Sequence, residues 1–525
     1  MPQHDDVSDA HQREVIAFLT DPRTHQGVEV TRIDTHSAMV FLAGPRVLKM
    51  KRAVKFPFLD YSTLEKRKQA CEAELSVNRP YAPQIYRGVA CITREVDGAL
   101  ALNGAGNPVE YAVDMVRFDE KGTLDNLPAS EITPALAKAL GIAVACAHQK
   151  APLADGAAFI AQLAQVIAGN AQELEASQGL FDADAIDRLT AASYAQLTRI
   201  TPLLAQRGEK GHVRRGHGDL HLGNIVLIDA APVLFDALEF DPKMASGDVF
   251  YDLAFLLMDL WERGHANAAN IVLNTYLAEA GSENHCEALA ALPLFLSLRA
   301  AIRAKVTLAR AERLGANAKA KALQSAQDYF RLACTLIAPP PARLVAIGGL
   351  SGTGKSMLAR GLAPHLGAVP GAVIVRSDVM RKHLFGVDET QSLPAQAYTP
   401  DITAKIYGIV AASAARIAQT GHAAIADAVF AKADERSFIA STAQAADVAF
   451  TGLMLMADVE TRIARVSRRT NDASDADAAI ALRQEQYELG PIDWIIIDAN
   501  GAPDETLARA RKALDEIDAS LPRAG

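Results

Sequence analysis

APPPARLVAIGGLSGTGKS, residues 338–356, ends one kind of text and begins another. Each of its three consecutive prolines lacks a backbone N–H and clashes with a preceding helical turn, so a helix running up to this point stops here. The apolar run LVAIGG that follows reads as a strand. GLSGTGKS, 349–356, then fills every fixed position of GxxxxGK followed by Ser or Thr, between that strand and a helix predicted from Lys355. The chemistry explains the pattern. Gly349, Gly352 and Gly354 allow backbone N–H groups to wrap a β-phosphate at a helix N-terminus, Lys355 adds a mobile positive charge, and the Ser356 hydroxyl is suited to Mg²⁺. The chain therefore divides into an earlier part, a Pro-rich linker at 338–343 and a P-loop domain at 344–525.

Downstream of the motif, strands and helices alternate: AVIVRSD (372–378), a helical stretch at 402–419, HAAIADAVF (422–430), ADVAFTGLMLMA (446–457), a basic helix, a helix near 476–489 and DWIIID (493–498). Such alternation predicts a parallel sheet covered by helices. In RSDVMRK, Asp378 and Arg381 fall on the first turn of a helix after a strand. A carboxylate there can accept a proton from a hydroxyl, and an arginine one turn later can hold the acceptor. Asp427 closes the next strand and suits a magnesium shell, through water, or the binding of the acceptor. Arg462, Arg465, Arg468 and Arg469 form a basic row before a Ser/Asp-rich loop, which reads as a lid that closes on a triphosphate. These features resemble the small P-loop kinases that include gluconate kinase, zeta-toxin kinases and polynucleotide 5'-kinase domains. The resemblance implies an acceptor site at Asp378 and Arg381. No basic track for a nucleic-acid end is visible in RKHLFGVDETQSLPAQ, so a small hydroxyl acceptor is preferred.

Upstream, strand-like segments (28–34, 38–44, 46–51, 111–118) give way to Ala- and Leu-rich helical text at 134–148, 156–176, 183–206 and 249–336. Between the helical blocks lies HGDLHLGN, 217–224, followed by two short strands joined by DAA. Phosphoryl transfer to an alcohol needs a carboxylate for the hydroxyl, ligands for magnesium and a cation over the phosphates. Asp219 can take the proton, Asn224 five residues on can ligate Mg²⁺, and Asp236 follows at the end of the second strand, a spacing that matches the kinase plan.

These motifs make residues 28–337 similar to the aminoglycoside phosphotransferase family, which shares the protein-kinase fold and writes HGD where protein kinases write HRD. The resemblance implies a bilobal domain in which Asp219 is the base, Asn224 and Asp236 hold magnesium, His217 orients the loop, and Asp248 and Asp252 brace it. It also implies that Lys49 contacts phosphate with Glu74 as its ion-pair partner. Lys51 competes with Lys49, because a strand puts both on one face. Two departures stand out: no GxGxxG precedes the lysine, and Asp236 is followed by Ala-Leu-Glu, which makes Glu239 a candidate additional metal group.

The bulk properties agree. Of 525 residues, 50% are hydrophobic and 22% charged, ordinary for a globular chain too long for one core. The net charge of −9 argues against a protein whose main task is to coat nucleic acid. Cys71, Cys91, Cys146, Cys286 and Cys334 are scattered without CxxC spacing and are expected to be reduced and mostly buried. The N-terminus lacks an apolar leader and no span-length apolar run occurs, so a cytoplasmic location is expected. Residues 1–27 read as a helical extension. The whole chain resembles bacterial two-domain proteins that join an aminoglycoside-phosphotransferase-like domain to an AAA-type kinase. The expected fold class is thus mixed α+β and α/β, with ATP and Mg²⁺ as cofactors and bifunctional transfer to small-molecule hydroxyl groups as the activity. A regulatory or sensor ATPase, and a nucleic-acid 5'-hydroxyl kinase in the second domain, are the alternatives; oligomeric state is open.

Overall fold

The computed structural model describes residues 5–56, 59–177, 179–281, 285–312, 314–468 and 473–520. The chain forms two compact units, one of residues 1–163 and 204–259, the other of 164–203 and 260–525. The helical text just before the prolines thus belongs to the same unit as the P-loop sheet.

Unit 1 contains helix α1 (Asp5–Thr20) and a six-stranded antiparallel sheet in the order β1-β2-β3-β8-β6-β7. Its strands are β1 (Val30–Asp34), β2 (Ala38–Ala43), β3 (Arg46–Lys51), β6 (Tyr86–Arg94), β7 (Leu100–Leu102) and β8 (Asn107–Val116), with the short β4 (Lys55–Phe56) and β5 (Leu59–Asp60) pairing separately. Strand β3 sits centrally, with Lys49 opposite Val40 on one side and Val113 on the other. Helix α2 (Leu64–Asn78) starts where the Thr63 hydroxyl accepts from Lys66 N–H at 3.3 Å. Leu42, Val47, Cys71, Ile85, Tyr86 and Val113 form a core that also takes in Val226 and Val233. Those last two lie on the hairpin β10 (Ile225–Ile228) and β11 (Ala231–Leu234), whose left-handed turn residues are Asp229 and Ala230. Strands β9 (Val213–Arg215) and β12 (Ser246–Asp248) form a separate antiparallel pair. Helix α3 (Pro134–Lys150) and most of α6 (Val249–Glu262) supply its helical part, with the start of α4 (Gly156–Glu175) up to Leu163 and the end of α5 (Ala183–Glu209) from Leu204; the rest of α4 and α5 falls in unit 2. Gly156 and Gly208 let α4 and α5 nearly touch, since a Cβ on Gly156 would stand 2.9 Å from Gly208 Cα.

Unit 2 holds α7 (Ala266–Ala280), α8 (Leu292–Ala311) and α9 (Ala316–Leu336), then a five-stranded, wholly parallel sheet. In spatial order its strands are β14 (Val373–Arg376), β15 (Ala424–Asp427), β13 (Arg343–Gly348), β16 (Ala449–Met456) and β17 (Ile495–Asp498). All but the first residue of central β13 are buried, as befits a strand covered on both faces. Between the strands run α10 (Lys355–Leu362), α11 (Ser377–Leu384), α12 (Pro400–Gln419), α13 (Ala433–Ala445), α14 (Val459–Ser467) and α15 (Ala478–Arg483), and α16 (Pro503–Ser520) closes the chain. Val345, Ile347, Leu358, Leu362, Ile425, Leu453, Leu455 and Leu514 form the core under the phosphate loop. Strand order reverses beside β13, so the loops after β13, β14 and β15 converge at the carboxyl end of the sheet, where a parallel sheet of this kind places its ligand.

All five cysteines are free thiols, but only Cys71 and Cys286 are buried and Cys146 is exposed, which corrects the expectation that most would be buried. Cys146 lies on α3, one side of which faces solvent. No helix among the described residues is long and apolar enough to cross a membrane.

Candidate functional site

In unit 2 the loop between β13 and α10 carries Gly349, Gly352 and Gly354, all at positive φ (142°, 87° and 96°). Gly352 has a second reason to be glycine: a Cβ there would lie 2.5 Å from the Arg462 carbonyl oxygen. Lys355 begins α10 and its Nζ donates to Leu350 O at 3.3 Å. The Ser356 hydroxyl donates to Asp427 Oδ2 at 2.6 Å, and Arg376 Nε lies 3.3 Å from the same oxygen. A hydroxyl and a carboxylate meeting beside a phosphate loop are hard oxygen donors of the kind magnesium takes together with water. Burial pushes the Asp378 carboxyl up, and the Asp427 charge adds to the effect. Asp378, Asp427, Lys355, Ser356, Arg465 and Arg468 all line one cavity of about 1380 Å³.

The arginines divide by role. Arg465 donates to Thr353 O at 3.4 Å and Gly501 O at 2.7 Å, against the loop, and Arg468 lines the cavity. Arg462, read from sequence as part of the lid row, is buried and bonds instead to Ala481 O and the Glu485 carboxylate. Helix α14 turns it inward, toward protein and away from phosphate. Arg469 lies outside the described residues. Arg381 lines the cavity but donates to Ala397 O at 2.5 Å and stacks over the Tyr398 ring at 4.9 Å. Two further cavity residues, Asp475 and Gln484, carry no signal in the sequence. Asp475 accepts from Tyr398 Oη (2.5 Å), Lys382 Nζ (2.8 Å) and Leu393 N (3.0 Å), and Gln484 Oε1 accepts from Ser351 N at 2.7 Å. A glutamine in RQEQYELG gives no local signal, because its partner is 133 positions away.

In unit 1, Lys49 Nζ lies 2.9 Å from Glu74 Oε1 and 2.7 Å from Asp236 Oδ1. Lys51 Nζ lies 2.5 Å from Glu74 Oε2 and 2.5 Å from Glu239 Oε1, which also accepts from Tyr61 Oη at 3.2 Å. The two lysines thus share Glu74, one on each oxygen, and it is Lys49 that reaches Asp236. Burial opposes the charge on Lys49, yet Asp236 and Glu74 hold its pKa well above the ordinary lysine value. The Lys49 ammonium in turn holds the Asp236 carboxyl low. Asp236 has φ 59°, a left-handed conformation uncommon for a side chain with a Cβ, and its N–H donates to Tyr86 Oη at 3.1 Å. Asn78 fixes the next residue, accepting from Ala237 N at 2.6 Å and donating to Ala237 O at 3.2 Å.

Around the HGD loop, Asn224 Nδ2 donates to Asp219 O at 2.9 Å and Asp219 Oδ2 at 3.1 Å, which leaves Asn224 Oδ1 as the amide's remaining acceptor. Asp252 braces the loop by accepting from His217 N (2.8 Å) and Gly218 N (2.9 Å), with His148 Nε2 at 3.1 Å. His217 Nε2 donates to Phe235 O at 2.9 Å, and burial pulls its pKa down. Asp248 acts elsewhere: it pairs with Arg207 at 2.6 and 2.9 Å and accepts from Phe250 N. Asp219, Asn224 and Asp236 supply carboxylate and amide oxygens, a donor set that fits magnesium.

Residues 344–489 match a family model described as an AAA domain. Over 475 residues the chain is 29% identical to the uncharacterized protein Rv2004c of Mycobacterium tuberculosis, covering 87% of this chain and 90% of that one. Among solved structures, a sugar kinase from Janibacter sp. HTCC2649 is similar at 20% identity and TM-score 0.26, covering 35% of this chain and all of that one. An aminoglycoside phosphotransferase from Streptomyces rimosus is similar at 22% identity and TM-score 0.31, covering 55% of this chain and 98% of that one.

Proposed function

We propose that the chain is a bifunctional phosphotransferase, with one ATP- and magnesium-using site in each unit and small-molecule hydroxyl groups as acceptors. The observation that carries this reading is the meeting of Lys355, Ser356, Asp427 and Asp378 on one cavity in unit 2. It is supported by the second, unrelated constellation of Lys49, Glu74 and Asp236 with Asp219 and Asn224 in unit 1. Bound magnesium would neutralise charge on the phosphate oxygens.

The residues then divide the work. At the P-loop, Lys355 and the loop amides hold the triphosphate, while Asp378 orients the acceptor hydroxyl and takes its proton. The acceptor oxygen forms a bond to the γ-phosphorus as the bond to the bridging oxygen breaks, and ADP leaves with that electron pair. A carboxyl raised by burial suits this proton, because a stronger base accepts it more readily. In unit 1, Asp219 has the same role, with Lys49 on phosphate and Glu74 fixing Lys49.

The test is product formation from ATP with pooled sugars, aminoglycosides, nucleosides and 5'-hydroxyl oligonucleotides. Asp219→Asn is expected to abolish one activity and Lys355→Ala the other. ADP release with no phosphorylated acceptor would favour a regulatory ATPase instead.

A further inference from the structure

A phosphate loop works through its backbone N–H groups, so any protein group that engages one of them bears on what the loop can hold. In this loop the Ser351 N–H is engaged by a side chain: Gln484 Oε1 accepts from it at 2.7 Å. Gln484 is 6% exposed and follows α15 in a single tight turn, 484–486. That turn is held from behind by buried Arg462, which bonds to Ala481 O and Glu485. Arg462 is itself pressed on the loop, its carbonyl standing where a side chain on Gly352 would go. The chain of contacts runs from α14 through Arg462 to the 484–486 turn, and from Gln484 back to Ser351.

The chemistry of a carboxamide fixes its orientation. Only the oxygen can face an N–H, so the Nε2 group with its two hydrogens must occupy the other branch. Among the described residues that Nε2 has no hydrogen-bond partner, and it is not among the buried unpartnered atoms, so it keeps accessible surface on a residue that lines the cavity. Lys355, Arg465 and Arg468 line the same cavity. Next to a loop that cradles the β-phosphate, a neutral donor locked by a loop amide is placed for the phosphate beyond it.

Resting on the P-loop reading above, we infer that Gln484 is a γ-phosphate-sensing residue: its Oε1 is anchored by Ser351 N–H and its Nε2 donates to the terminal phosphate, so that the P-loop site distinguishes ATP from ADP through it. Arg462 is a positioning residue that holds the turn.

The experiment measures calorimetric binding of a non-hydrolysable ATP analogue and of ADP to the full chain with excess Mg²⁺. Lys355→Ala supplies the background of the other site. The P-loop component is the heat lost on that substitution, and if none is lost the P-loop reading fails and this inference with it. Gln484→Glu is the decisive variant, because a carboxylate still accepts from Ser351 N–H but has no hydrogen to donate. The expected result is that Gln484→Glu and Gln484→Ala each weaken the analogue by about tenfold or more, the size of one lost hydrogen bond to a charged group, while in Gln484→Ala, which adds no charge, ADP changes less than about twofold. Retention of analogue affinity by Gln484→Glu would overturn the inference, as would equal losses for analogue and ADP in both variants, since either would leave Gln484 with a structural role alone.

Discussion

His422 is fully buried at the start of the segment that leads into β15, and its Nε2 donates to Gly371 O at 2.7 Å. Burial lowers its pKa from an ordinary 6.5 to about 4. Between these values the unfolded chain binds a proton that the folded chain refuses, so stability is full above about pH 6.5 and falls as pH drops toward 4. The loss at the acid end is about 3 kcal/mol from this group. His422→Gln keeps a donor in place of Nε2 without titrating, and unfolding curves across that range are expected to show a flatter pH slope than the parent; an unchanged slope would contradict the assignment. Single residues were also where sequence reading had least purchase. Arg462 and Arg465 share a basic row, and nothing in VETRIARVSRR tells that one turns to Glu485 and the other to Thr353 O in the phosphate loop. Lys49 and Lys51 are equivalent by strand alternation, and only the placement of Asp236 and Glu239 separates them.

Elements were more legible, because periodicity and punctuation are local. The P-loop strand begins at Arg343, two residues after the last proline, and α10 begins at Lys355 as its motif requires. The strands of the N-terminal sheet around Lys49 fall within a few residues of their apolar runs. Strand β6, YRGVACITR, was missed: Gly88 and the polar residues in it blur the alternation, and its pairing with β8 is irregular at two points. The element pair that matters most in unit 1 is β3 against α2, where Glu74, with no exposed surface, answers two lysines. Glu74→Gln removes the charge that both ammonium groups were buried to meet. Breaking a buried ion pair from one side is costly, so this substitution is expected to lower the unfolding free energy by about 3 kcal/mol or more. Denaturant titration followed by circular dichroism checks it, and a change under about 1 kcal/mol would contradict the account of this pair.

At the scale of the whole molecule, the prolines at 339–341 mark where helical text ends without marking where unit 2 begins. The link is invisible in sequence because it is made by two asparagines whose partners lie about 100 positions away. On α7, Asn274 Oδ1 accepts from Ile374 N at 2.8 Å, Asn274 Nδ2 donates to Ala372 O, and Asn270 Nδ2 donates to Pro370 O and Ala372 O. Two side-chain amides thereby serve edge strand β14 as a neighbouring strand would, and β14 leads directly into Asp378. Replacing Asn270 and Asn274 together by Ala in the full chain is therefore expected to lower the melting temperature by several degrees; an unchanged melting temperature would show that these amides contribute nothing to the sheet. The proposed function requires two separate nucleotide cradles in one chain. Calorimetric titration of the full chain with a non-hydrolysable ATP analogue and excess Mg²⁺ tests it most directly. Two nucleotides per chain are expected, falling to one with Lys355→Ala and to one with Asp236→Ala. A single saturating nucleotide per intact chain would contradict it.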